Sequence, residues 1–151
     1  MRSNQTPPAE TLRDELTISP EQVCFIIVKA REFDVKDADS ELESGSNASD
    51  DQMLSVLEDR SDDPVQQELS SFIENMTEDE QIDLVALAWL GRDDNTIEDW
   101  PSIRAEAAGA HSSRKGRTAR YLLGMPLLAD YLEEGLAMFG VSCEPYEIGR
   151  L

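Results

Sequence analysis

Along residues 64 to 140 the apolar positions recur every three or four residues, the period of a helix with one buried face. Val65, Leu69, Phe72, Ile73 and Met76 form one stripe and predict a helix over residues 64 to 76. Thr77-Glu-Asp-Glu80 follows at once with the spacing of a capping box, in which the Thr hydroxyl and the Glu carboxylate each serve a backbone donor, so a second helix starts there. In that helix Ile82, Leu84, Val85, Leu87, Ala88, Trp89 and Leu90 are apolar nearly all round, which predicts a central position with Trp89 buried; Gly91 is placed to end it. A polar turn, Arg92 to Thr96, leads into a helix from Ile97 through about Ala108 that carries Trp100, Ile103 and Ala107. After a break at Gly109 to Ser113, one more helix is expected over roughly 114 to 123, ended by Gly124. Pro126 then starts a last one presenting Leu127, Leu128, Tyr131, Leu132, Leu136 and Phe139, closed by Gly140.

Upstream, Ser19-Pro20-Glu21 opens an N-terminal helix over 19 to 35 whose Val23, Ile26, Ile27, Ala30 and Phe33 dock it on the core. Residues 1 to 18 lack an apolar face and read as a flexible arm, and residues 141 to 151 as an extended tail. From Lys36 to Asp63 there are ten acidic and two basic residues around a Gly45-Ser-Asn-Ala-Ser centre. Such a stretch buries too little apolar surface to offset the roughly 1 to 2 kcal/mol per residue of ordering entropy, which predicts a disordered acidic linker. Its apolar island, Met53-Leu54-Ser-Val56-Leu57, fits either a turn packed on the core or a segment that folds on a partner. No segment has a period of two. The fold expected is all-α, a compact bundle of five to six short helices with a disordered acidic linker, residues 64 to 140 forming the helical domain.

The formal net charge is -19, from 13 basic and 32 acidic side chains in 151 residues. A chain so acidic repels nucleic acid and anionic membrane as a whole, because neutralising phosphates takes clustered Lys and Arg, and it favours basic partners. No apolar run approaches the roughly 20 residues of a membrane helix, and the N-terminus has no apolar leader. Cys24 and Cys143 stand far apart in no metal-like spacing, so separate thiols in a reducing cytosol are expected rather than a disulfide.

Candidate chemistry is sparse. His111 has no second histidine to complete a metal site, and Ser112 and Ser113 beside it read as helix caps rather than nucleophiles. Asp37-x-Asp39-x-Glu41 and Asp93-x-Asn95 lack the Gly and the distal Glu of a calcium loop, and no glycine-rich phosphate cradle occurs. Neither a metal nor a cofactor is implied. The feature that stands out is positive: Arg104, His111, Arg114, Lys115, Arg117 and Arg120 fall in a span with Glu106 as its single acid. Either these cations are neutralised internally, by Glu133, Glu134 or the acidic linker, or they form an anion or partner site. Trp100, expected to be partly exposed beside Arg92, would join Arg117, Arg120 and Tyr121 in the best binding constellation available, since Trp, Tyr and Arg are frequent interface anchors.

Four stretches carry a family resemblance: Thr77-Glu-Asp-Glu-Gln81; Leu84-Val-Ala-Leu-x-Trp-Leu-Gly-Arg92; Glu98-Asp-Trp100; and Thr118-Ala-x-Tyr-Leu-Leu-Gly-x-Pro-Leu-Leu-Ala-Asp-Tyr-Leu-Glu-Glu-Gly-Leu136. From about Glu68 to Gly140 the chain resembles a family of bacterial proteins, the domain of unknown function numbered 3775. The resemblance implies a compact helical domain in a bacterial cytoplasm and brings no activity, cofactor or catalytic residue. The expectation that follows is a non-enzymatic, acidic interaction or regulatory module that binds another protein. The alternative is a small-anion or small-ligand sensor using the Arg104 to Arg120 region.

Overall fold

The computed structural model describes residues 15–44 and 63–146, with the side chains of the first stretch described as far as Phe33. Among these residues α1 spans Pro20–Ser44, α2 Pro64–Glu74, α3 Glu78–Arg92, α4 Trp100–His111, α5 Thr118–Leu123 and α6 Leu128–Met138, with single 3-10 turns at Ile97–Asp99 and Ser112–Arg114. No strand occurs among the described residues, and the fold is all-α. The island Met53 to Leu57 lies outside them. Helix α1 runs past the expected boundary at residue 35, so the first part of the acidic stretch has a helical backbone.

Local chemistry sets the helix ends. The Ser19 hydroxyl accepts from the Gln22 amide at 3.1 Å while the Gln22 side chain accepts from the Ser19 amide at 2.8 Å, a capping box that starts α1. Thr77 and Glu80 make the corresponding pair at α3, with bonds of 3.1 and 2.9 Å, as their spacing predicts. Gly140, at φ 77°, lets the Gly140 and Val141 amides donate back to Ala137 and Leu136 O, closing α6 with two bonds.

Helix α3 is central: Ile82, Leu84, Val85, Ala86, Leu87, Ala88 and Leu90 are all buried. It packs against α6 and α4, α1 lies against α6 and α2, and α2 meets α5. Gly91 does not end α3, contrary to expectation. The helix continues to Arg92, and the Asn95 side-chain amide then donates to Trp89 O and Leu90 O, satisfying terminal carbonyls. Gly91 serves close approach instead. A Cβ there would overlap the Tyr131 carbonyl oxygen and lie 2.9 Å from the Gly135 nitrogen, and one on Gly135 would lie 2.5 Å from Leu87 O. The α3–α6 crossing thus brings backbone against backbone at two glycines.

Two buried polar side chains tie elements together. The Gln81 amide donates to Ile73 O, Glu74 O and Met76 O, closing the end of α2. Asp83, 1% exposed, accepts from the Thr17 and Ile18 amides through Oδ2 and from Arg104 Nε through Oδ1 at 2.9 Å, joining the entry to α1 with α3 and α4. On the surface Arg31 of α1 bridges Asp130 and Glu133 of α6, and the hydrogen bond to Glu133 holds its guanidinium pKa above the ordinary value.

Several expectations need correction. Trp100 is buried, at 4% exposure, edge-on to Phe139 with ring centroids 5.1 Å apart, because α4 starts at Trp100 and turns the indole into the core; Trp89 is half-buried. Leu127, expected on the buried face of the last helix, precedes it in a left-handed conformation (φ 64°) and is 57% exposed. Helix α4 runs through Gly109 to His111, whose side chain is buried, and α5 starts only at Thr118. The tail is not extended: residues 144 to 146 form a helical turn, and Cys143, buried, is disulfide-bonded to Cys24 on α1 with Cα atoms 5.5 Å apart. Separation of 119 positions in sequence is no separation in space once α6 returns the chain to α1.

Candidate functional site

The positively charged span divides into two parts. Arg104 turns toward α3, where it is held by Asp83 and lies 3.4 Å from an Asp79 carboxylate oxygen, so this cation is structural. Arg114 lies instead where the last turn of α3, the second 3-10 turn and α5 meet. Trp89 Nε1 donates to the Tyr121 hydroxyl at 2.9 Å, which fixes the two rings relative to each other. The Arg114 guanidinium lies 4.0 Å from the Tyr121 ring centroid and 5.8 Å from that of Trp89; Arg92, one turn beyond Trp89, is 5.9 Å from the same indole. All three distances fall within the range of cation–π contact.

A tight turn delivers Arg114. Lys115 (φ -56°, ψ 127°) and Gly116 (φ 79°) have the central geometry of a type II turn, closed by the Arg117 amide donating to Arg114 O at 2.7 Å. Gly116 is required there because an L side chain at that φ is strained. Arg117 donates from Nη2 to Ser113 O at 2.9 Å across the same turn. Arg117, Arg120 and Lys115 are exposed, and with Arg114 they make no ion pair among the described residues; Arg92 lies 3.8 Å from the carboxylate of its neighbour Asp93. Internal neutralisation therefore accounts for Arg104 and leaves the Arg114 to Arg120 group uncompensated by described side chains. Glu133 of α6, offered as a partner for these cations, pairs with Arg31 instead.

Of the residues singled out from sequence, Arg92 and Tyr121 meet around Trp89, and Arg117 and Arg120 flank Tyr121 on and before α5. Trp100 takes no part, being in the core. Trp89 and Arg114 are the anchors that the sequence constellation lacked. The pair Trp89-x-x-Arg92 has helical spacing and could have signalled a shared face. Away from this surface, an open groove of about 390 Å³ is lined by Glu15, Trp100, Pro101, Arg104 and Ala105, and its Arg104 is already engaged. In Asp93-x-Asn95 the Asn95 side-chain amide caps α3, and no cluster of metal-ligating side chains occurs among the described residues.

The fold and this surface define a small helical domain that carries a half-buried aromatic pair flanked by cations. The chain belongs to the family described as protein of unknown function DUF3775, whose model matches residues 66–141. Those residues contain α3 to α6 and the whole Trp89, Arg92, Arg114 and Tyr121 group; α1 and both cysteines lie outside them. No curated protein and no solved structure matches the chain. No helix among the described residues is long and apolar enough to cross a membrane.

Proposed function

We propose that the protein is a non-enzymatic interaction module that takes up a short acidic segment of another protein on the Trp89–Tyr121 surface. The observation that carries this reading is Arg114 stacked on Tyr121 at 4.0 Å with no carboxylate paired to it among the described residues, in a chain of net charge -19. In so acidic a protein, Arg114, Lys115, Arg117 and Arg120 stand together with no described carboxylate bridging them, although many carboxylates are available in the chain. A guanidinium placed over an aromatic ring keeps N–H donors that can receive a carboxylate in a paired, bidentate contact.

The net charge does not oppose such a contact at short range. With a Debye length of about 8 Å at physiological ionic strength, acids elsewhere on the surface are screened while cations in direct contact are not. Length is what the acidic remainder limits: a long polyanion such as nucleic acid would run from the cationic face onto carboxylates, so a short segment is favoured over a nucleic acid. The bacterial, cytoplasmic setting implied by the family resemblance belongs to this proposal. A basic partner, favoured by net charge alone, is the competing reading.

The test is calorimetric titration of the full chain with a glutamate-rich peptide and with a lysine-rich one, at 0.05 and 0.15 M salt, for the natural protein and for Arg114→Glu/Arg120→Glu. Binding of the acidic peptide that falls at least tenfold in the variant, with an unchanged melting temperature, supports the proposal. Equal binding by the variant, or binding of the lysine-rich peptide alone, overturns it.

A further inference from the structure

Among the described residues Leu127 alone of the large apolar side chains is exposed, at 57%. An exposed leucine is common on protein surfaces and by itself marks nothing. The backbone beneath this one sets it apart: at φ 64° and ψ 23° it is left-handed, a conformation that brings an L side chain's Cβ against the following carbonyl oxygen. The core gains little from Leu127, because Leu128 and Leu132 are the buried leucines beside it, and an Asn would suit both the left-handed turn and the water around it. Strain kept without a packing gain is a mark of residues that meet a ligand. Pro126 is also exposed and Met125 half-buried, so Met125-Pro126-Leu127 makes one small apolar tip.

The crossing of α3 and α6 says where the tip lies. A Cβ on Gly135 would meet Leu87 O and one on Gly91 would meet Tyr131 O, so the two helices run antiparallel and α6 begins where α3 ends. The Tyr131 amide donates to Leu127 O at 3.0 Å, which sets Leu127 one helical turn further, at the end of the bundle where α3 carries Trp89 and Arg92. Asp93 and Asp94 are exposed at this end too and would repel a carboxylate brought up to the tip. An acidic segment can therefore place its charges on Arg114, Arg117 and Arg120, but what it gains at Leu127 is apolar contact. We infer that Leu127 is the specificity-determining residue of the surface proposed above, on which reading this inference rests: the acidic segment carries an apolar side chain of leucine size that packs on Leu127 and Pro126 while its carboxylates meet the arginines.

The experiment titrates the full chain at 0.15 M salt with two fluorescein-labelled peptides, a Glu-Glu-Leu repeat and a Glu-Glu-Ser repeat of equal length, read by anisotropy. A repeat offers its leucine in every register, so a missed position cannot hide the contact. The natural protein should bind the leucine peptide at least fivefold more tightly than the serine peptide. Leu127→Asn should abolish that preference while leaving its affinity for the serine peptide and its melting temperature unchanged, and Leu127→Met should retain the preference. Arg114→Glu/Arg120→Glu should weaken both peptides alike. Equal affinities in the natural protein, or a preference that survives in Leu127→Asn, overturn this inference and leave the acidic-segment reading standing. A clear fall in the melting temperature of Leu127→Asn overturns it as well, by making the side chain part of the packing. Failure of the natural protein to bind either peptide overturns the acidic-segment reading and this inference with it.

Discussion

Replacing Gly91 by Ala puts a methyl group where α3 meets the backbone of α6. The Tyr131 carbonyl oxygen and the Gly135 nitrogen stand inside the space the new Cβ would occupy, and neither can rotate away as a side-chain tip could. Restoring an ordinary contact requires the two helices to separate by more than 1 Å, and a gap of 0.5 to 1 Å already forfeits a quarter to a half of the dispersion well. The buried leucines of the pair are Leu84, Leu87 and Leu90 of α3 and Leu128, Leu132 and Leu136 of α6. At about 2 kcal/mol for each buried side chain they contribute roughly 12 kcal/mol, of which a half is about 6 kcal/mol. Removing a helical glycine returns about 1 kcal/mol. The net cost is about 5 kcal/mol, above the usual range for overpacking because backbone meets backbone, or a fall of roughly 10 to 20 °C in melting temperature. Gly109 provides the internal control. It is helical and exposed, and an added Cβ meets nothing within 4 Å, so Gly109→Ala should raise stability by up to about 1 kcal/mol. The two variants are compared by circular dichroism melts and by urea unfolding at one protein concentration. If Gly91→Ala melts at or above the natural protein, the close helix crossing is wrong.

The Asp83 junction gives a second prediction. Asp83→Ala strands the Thr17 and Ile18 amides and leaves Arg104 without its buried partner, so it should cost about 3 kcal/mol, whereas Arg104→Ala leaves Asp83 two backbone donors and should cost clearly less. Urea midpoints measure both, and equal losses would refute the ranking. The tryptophans give a third: iodide, an anion, should quench the half-exposed Trp89 between Arg92 and Arg114 more strongly than caesium does, and Arg114→Glu should remove that preference. Equal quenching by the two ions in the natural protein would mean that no cationic field surrounds Trp89.

Where a residue's role depends on its near neighbours in sequence, it was legible. The Thr77–Glu80 box and the Gly140 closure are local devices, and the apolar girth of α3 follows from composition alone. Roles decided by distant packing were not. Gly91 has the position of a terminator, yet what it touches is Tyr131 and Gly135 of a helix some forty residues later. Trp89 and Trp100 exchanged their expected environments because the girth of α3 does not say which flank lacks a neighbour, and because the helical start at Trp100 sends the second indole toward Phe139. The disulfide eluded spacing arguments for the same reason. Of the candidate site, the cationic span and Tyr121 were visible, while its division between Asp83 and the aromatic pair needed three-dimensional placement.

The two indoles report separately on peptide binding, because one belongs to the proposed surface and the other to the core. In a nitrogen–proton correlation spectrum of the full chain, the two Nε1–H resonances are assigned with Trp89→Phe and followed while a glutamate-rich peptide is added. The account predicts that the Trp89 indole, hydrogen-bonded to Tyr121 beneath Arg114, shifts in a saturable way while that of Trp100, packed on Phe139, does not. A Trp89 resonance that stays fixed while the peptide binds, or a response confined to Trp100, would contradict it.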